Sequence, residues 1–179
     1  EKPEVIELLK VLTKLAKTCT EDPSAQNVGN MFYGIHGMSS EKPEVIELLK
    51  VLTKLATTCR EHLSAQAVGN MIYGIQSMSS DNHVVKELLK VVTKLALTCK
   101  QPLSAQEVGN MFYGIQGMSS EKPEVIELLK VLTILAKTCT EPLSAQEVGN
   151  MIYGLKSLTC SSDVEPVSYT HLTLPTNRE

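Results

Sequence analysis

The sequence has no tryptophan, only two phenylalanines, and no apolar run approaching the roughly 20 residues that span a bilayer. Burial must therefore be done by aliphatic side chains, and nothing points to a membrane. The four histidines, His36, His62, His83 and His171, fall at unrelated positions. With no Ser–His–Asp set, no metal-ligand motif and no Gly-rich phosphate loop, the expectation is a non-enzymatic protein with no catalytic residue, metal or cofactor. A dominant charge is missing as well: 17 Lys and Arg stand against 20 Asp and Glu. The global basic field that usually marks a nucleic-acid binder is thus absent.

Cysteine is present, but never in a local pair. Cys19, Cys59, Cys99 and Cys139 recur every 40 residues, and Cys160 is odd. Neighbouring helices pack about 8–10 Å apart, whereas disulfide-bonded Cα atoms lie within about 7 Å. Metal sites favour pairs such as C-x₂₋₄-C, and none occurs. The cysteines are expected to be buried small residues that end a helix. Free thiols fit a reducing, intracellular compartment.

What the sequence does have is internal repetition. Residues 1–40, 41–80, 81–120 and 121–160 align without a gap; the first two match at 32 of 40 positions, and 20 positions are shared by all four. A period of this size marks solenoids and related arrays. Each unit is too small to bury its own apolar surface, so neighbours must supply the rest. Charge is spread evenly, at −1, 0, +1 and −1 by repeat and −2 in the tail.

Each unit reads as two helices. In repeat two, Val45, Leu48, Leu49, Val51, Leu52, Leu55, Ala56 and Cys59 recur at helical spacing from about Pro43 to Thr58. Pro43 suits a first turn, where its missing N–H would have had no partner. The second helix opens on Leu103-Ser104-Ala105-Gln106-Glu107-Val108, a capping box of Ser104 and Glu107 with a Leu103–Val108 staple. Ser144 and Glu147 repeat it, while Asn27 and Ala67 hold the Glu position elsewhere. The helix is expected to reach about Met118 along a stripe of Ala105, Val108, Met111, Phe112, Ile115 and Met118. The fold class is all-α: a solenoid of four helix–turn–helix repeats, eight helices in all, followed by an irregular tail.

Opposite that stripe the second helix carries Gln, Asn and Tyr at i, i+4 and i+7. The sets are Gln26, Asn30 and Tyr33; Gln66, Asn70 and Tyr73; Gln106, Asn110 and Tyr113; and Gln146, Asn150 and Tyr153. They form a ladder that could read single-stranded RNA, with amides on base edges and an aromatic under a base, or hold the backbone of an extended peptide. A structural ladder, with Asn bonded to a neighbouring loop and Tyr packed between units, is the plain alternative. Gly29 and Gly34, with their equivalents, flank the ladder and suggest close approach of a neighbouring helix. On the first helix, Lys10, Lys14, Lys50, Lys54, Lys90 and Lys94 make an exposed row. Beside a bound strand that row would contact phosphates; otherwise it is a solvated face tempered by Glu7 and its equivalents.

The stretch 103–115, Leu-Ser-Ala-Gln-Glu-Val-Gly-Asn-Met-Phe-Tyr-Gly-Ile, resembles the helix of octotricopeptide-like repeats, although it has Tyr-Gly where Trp-Ala is common there. That resemblance implies an α-solenoid that binds organellar RNA through Gln106, Asn110, Tyr113 and their equivalents. A solenoid similar to armadillo repeats, with an Asn ladder holding an extended peptide, is the alternative. RNA binding predicts basic side chains along the Gln–Asn–Tyr groove, and peptide binding predicts a groove without Lys. A purely structural array is the third reading.

The chain starts at a repeat boundary without Met and reads as a piece of a longer solenoid. Residues 161–179 leave the repeat. Residues 164–179 resemble a translated sequencing-adapter read-through, which implies no role for Tyr169, His171 or Pro175. Without polar end caps, the outermost repeats are expected to leave apolar faces open and to drive self-association.

Overall fold

The computed structural model describes residues 2–158. Cys160, the adapter-like tail and the last residues of repeat four lie outside the described residues. The described chain is all-helical: α1 (Pro3–Ala16), α2 (Ala25–Tyr33), α3 (Pro43–Thr57), α4 (Ala65–Gly74), α5 (His83–Ala96), α6 (Ala105–Tyr113), α7 (Pro123–Ala136) and α8 (Ala145–Gly154). A single 3₁₀ turn, Leu155–Ser157, follows. No helix among the described residues is long and apolar enough to cross a membrane.

Local chemistry accounts for the helix ends. Pro3, Pro43 and Pro123 stand in the first turns of α1, α3 and α7. Repeat three has His83 there and is capped instead by Asn82, whose side chain accepts from Val84 N–H at 2.9 Å. Every second helix opens on a serine cap: Ser24, Ser64, Ser104 and Ser144 accept from the N–H three residues on. The reciprocal half of the box forms where Glu is present, with Ser104 N–H donating to Glu107 at 2.7 Å and Ser144 N–H to Glu147 at 2.6 Å. Those hydrogen bonds, from the hydroxyl and then the backbone of Ser144, hold the Glu147 carboxyl below its usual range.

The second helices stop sooner than their apolar periodicity suggests. α6 ends at Tyr113, and residues 114–117 form turns before the short irregular link to α7. Ile115 and Met118 are nevertheless completely buried. The apolar stripe continues across the turn even though the helix does not.

Packing is layer by layer. First helices contact first helices (α1, α3, α5, α7) and second helices contact second helices (α2, α4, α6, α8), with the closer approach in the second layer. One continuous core runs between the layers and through every junction, from Leu9, Val28 and Phe32 to Leu128, Leu132 and Leu135. Glycine sets the close spacing. A methyl group on Gly74 would overlap the Phe32 carbonyl oxygen; on Gly114, that of Ile72; on Gly154, that of Phe112. Each of these glycines lets a second helix seat its end on the backbone of the preceding repeat. Gly29 makes a looser contact of the same kind, 3.0 Å from its Cβ position to Ala67 Cα. A stack with one layer spaced more tightly than the other bends toward the tight layer. The second helices form the more tightly spaced layer, termed the inner one.

Polar contacts fix the register between units. A side chain in the loop between the two helices of each unit reaches back to cap the second helix of the preceding repeat: Glu61 accepts from Ala25 N–H at 2.7 Å, Gln101 from Ala65 N–H at 3.0 Å, and Glu141 from Ala105 N–H at 2.8 Å. Beside it, Thr98 and Thr138 accept from the N–H groups of Leu63 and Leu103. The buried Ser40 and Ser80 hydroxyls accept from Ser79 and Ser119 N–H at 2.8 and 2.9 Å. Three ion pairs also cross junctions: Arg60–Asp22 at 2.9 Å, Lys122–Asp81 at 2.7 Å and Lys90–Glu124 at 3.8 Å.

Two outcomes test this account. Gly114→Ala should destabilise the array by about 1–3 kcal/mol through overpacking against a carbonyl. Gly149→Ala, where nothing lies within 4 Å, should stabilise it by about 0.5–1 kcal/mol as an ordinary helix-interior change; chemical denaturation of the two variants separates them. The Lys122 ammonium, by hydrogen bond and then by charge, holds the Asp81 carboxyl below its usual range. A depressed folded pKa contributes stability above the unfolded value of about 4 and loses it as pH falls through the folded value. The melting temperature of Asp81→Asn should therefore lie slightly below wild type at pH 7 and converge with it by about pH 3.

Candidate ligand-binding surface

The Gln–Asn–Tyr ladder lies on the outer surface of the inner layer. In α2, Val28, Gly29 and Phe32 are buried toward the core, which turns Gln26, Asn30 and Tyr33 to solvent. Gln26, Gln66, Gln106 and Gln146 are all exposed, and Asn70, Asn110 and Asn150 are half-buried. The ladder is a surface, and Asn does not tie down a neighbouring loop. Among the described residues none of these eight carboxamides makes a side-chain hydrogen bond within the chain, in contrast to Gln101, Asn82, Gln76 and Gln116. Between α2 and α4 they line a polar cleft of about 280 Å³, with Gln26, Asn30, Gln66 and Asn70 around a floor of Gly29 and Ala67.

The tyrosines behave differently. Their rings stack on one another in an unbroken column: Tyr33–Tyr73 at 5.8 Å, Tyr73–Tyr113 at 5.7 Å and Tyr113–Tyr153 at 5.4 Å between centroids, with planes 18–24° apart. His36 sits against Tyr33 at 5.1 Å and Tyr73 at 5.9 Å. At the other end the Lys156 ammonium lies 4.1 Å from the Tyr153 ring centroid. Where a base was expected to stack on tyrosine, the inner ring faces are occupied by other tyrosines. What the column offers a ligand is its edge and its hydroxyls.

A second polar column runs beside the tyrosines and was not singled out from sequence. Gln116 donates to Gln76 at 3.1 Å, and Lys156 donates to Gln116 at 3.1 Å and to the Tyr153 hydroxyl at 2.9 Å. Its positions, 36, 76, 116 and 156, hold His, Gln, Gln and Lys. That variability hid the column from a search for shared residues.

The lysine row belongs to the other layer. Lys10, Lys14 and Lys17 border a cleft of about 330 Å³ between α1 and α3; Lys50 and Lys54 border one of about 300 Å³, and Lys90 and Lys94 one of about 460 Å³. None of these clefts includes a ladder residue. Lys50, Lys90 and Lys130 pair with Glu47, Glu87 and Glu127 one turn earlier, as the tempered-face reading expects. The second helices contain no Lys or Arg at all. The row and the ladder are not brought together.

The cysteines are less enclosed than expected. Cys19 is exposed, and Cys59, Cys99 and Cys139 are half-buried free thiols just beyond their helices. Each points at the carbonyl two residues on, 3.6–3.9 Å away. Burial pushes the Cys99 thiol above its usual range, which keeps it protonated and weakly nucleophilic. No group of three His, Cys, Asp or Glu among the described residues could hold a metal ion.

Tyr73 and Tyr113 have a tyrosine on both faces, Tyr33 on one. With each aromatic contact contributing about 0.5–1.5 kcal/mol, Tyr73→Ala should cost about 1 kcal/mol more than Tyr33→Ala in urea unfolding. Equal losses would mean the stacking is energetically idle. No protein-family model, curated protein or solved structure matches this chain.

Proposed function

We propose that the chain is a non-enzymatic binding scaffold that holds an extended polypeptide along the Gln–Asn ladder of its inner layer. The observation that carries this is the set of eight carboxamides, two per repeat, solvent-facing and without partners in the chain, on helices that contain neither Lys nor Arg. A carboxamide offers both a donor and an acceptor, which is what a peptide backbone requires whatever its side chains. Helices about 8–10 Å apart present a new Gln–Asn pair roughly every two to three residues of a chain that advances about 3.3 Å per residue.

Single-stranded RNA is the second reading, supported by the resemblance of 103–115 to octotricopeptide-like repeats. It asks more of this surface. Phosphates need cations that the second helices lack, and bases need ring faces that the tyrosines give to one another.

An unbiased peptide library and random RNA oligomers, offered to the full chain at low and high salt, separate the two. Peptide binding should persist at high salt and weaken roughly tenfold in Asn70→Ala/Asn110→Ala, two lost hydrogen bonds of about 0.5–1.5 kcal/mol each. RNA binding that falls steeply with salt would favour the nucleic-acid reading. Binding of neither would sink the scaffold itself.

A further inference from the structure

The two ends of the array are the two halves of a junction the chain already builds three times. Of the 14 large hydrophobic side chains exposed among the described residues, ten lie on α1 or between Leu143 and Leu155 in repeat four. Leu8 is 56% exposed where Leu48, Leu88 and Leu128 are buried; Ile152 is 64% exposed where Phe32 and Ile72 are completely buried. Apolar exposure alone would not say what covers these faces. The polar and steric details do.

At each internal junction a second-helix glycine seats on the preceding repeat's backbone, and the repeat-one member, Gly34, meets no neighbouring helix. The matching bare surface is at the other end, where nothing lies within 4 Å of Gly149 and Ile152 is uncovered. Hydrogen-bonding groups are left over in the same complementary way. Leu143 N–H and Ala145 N–H occupy the places of Leu63, Leu103, Ala25, Ala65 and Ala105 N–H, all of which bond to the next repeat. Thr18 and Glu21 occupy the places of the acceptors that serve them. Among the described residues, donors are left over at one end and acceptors at the other.

From this complementarity we propose that a second copy of the chain docks head to tail, its repeat one seating on repeat four as repeat two seats on repeat one. Such an interface is heterologous: forming it leaves one free end of each kind, so association continues into open filaments, or into rings if the rotation closes. The Gln–Asn ladder and the tyrosine column would run on across the joint. The proposal is independent of what the ladder binds.

Sedimentation of the full chain tests it. Wild type should form a concentration-dependent series that passes beyond dimer. Leu8→Glu, with Leu12→Glu as a second block of the same end, and Ile152→Glu at the other should each be monomeric, with helical content unchanged by circular dichroism. An equimolar mixture of Leu8→Glu and Ile152→Glu should give a 1:1 dimer that grows no further, because each chain keeps one good face and the two are complementary. Wild type that stays monomeric up to about 1 mM overturns the proposal. So does a single-face variant that still dimerises, the mark of a two-fold contact between like ends, or a mixture that stays monomeric.

Discussion

The architecture depends on a contact in which no side chain takes part on one side: the α-carbon of Gly74, Gly114 or Gly154 resting on the carbonyl of Phe32, Ile72 or Phe112. Any other residue would hold the second helices apart by the size of its side chain. Because they are not held apart, the tyrosine rings come within stacking distance and the inner layer becomes the tight one, while the apolar-lined clefts open between the first helices. A glycine near a helix end carries an entropic cost of about 0.5–1 kcal/mol. Here that cost is offset by dispersion along two backbones in direct contact and by the apolar side chains the approach brings together.

The junction chemistry divides labour in a way that follows from geometry. Apolar side chains supply the bulk of the stabilisation, in proportion to area and with little directional preference. They cannot by themselves distinguish a repeat seated in register from one rotated by part of a turn. The carboxylate or carboxamide at 61, 101 and 141 can, since it has one correct target, the open N-terminus of the helix 36 residues earlier. It meets a helix dipole that already favours negative charge, yet Gln101 serves in the same place. The geometric requirement is the acceptor, with charge an addition.

Much of this was legible in the sequence. The 40-residue period, the proline and serine starts, the capping boxes and the alternation of two helices per unit are local patterns, and local patterns can be read from spacing. The glycine pairs also announced close approach, though not the partner. What could not be read depended on contacts 35 to 42 residues apart, whose geometry exists only once the repeats have stacked. The cap that Glu61 makes, by accepting from Ala25 N–H, looks in sequence like a solvent-facing acid after a helix. The tyrosines look equally suited to receiving a base and to receiving one another. The Gln76–Gln116 pair was invisible because its column changes identity at each repeat. The early stop of α6 escaped because Ile115 and Met118 keep the apolar spacing beyond the point where the backbone leaves the helix.

The glycine seat has a consequence for how such a chain can change. Its two partners sit in one unit and the next, and the same two groups are offered by every unit, so each junction is chemically the same sentence written again. A duplication or loss of one whole unit alters the length of the inner surface by one rung without introducing a junction that has not already been tried. Growth in steps of 40 residues is therefore nearly neutral to folding, while a shift of a single residue inside a unit would unseat a glycine, a cap and a tyrosine at once.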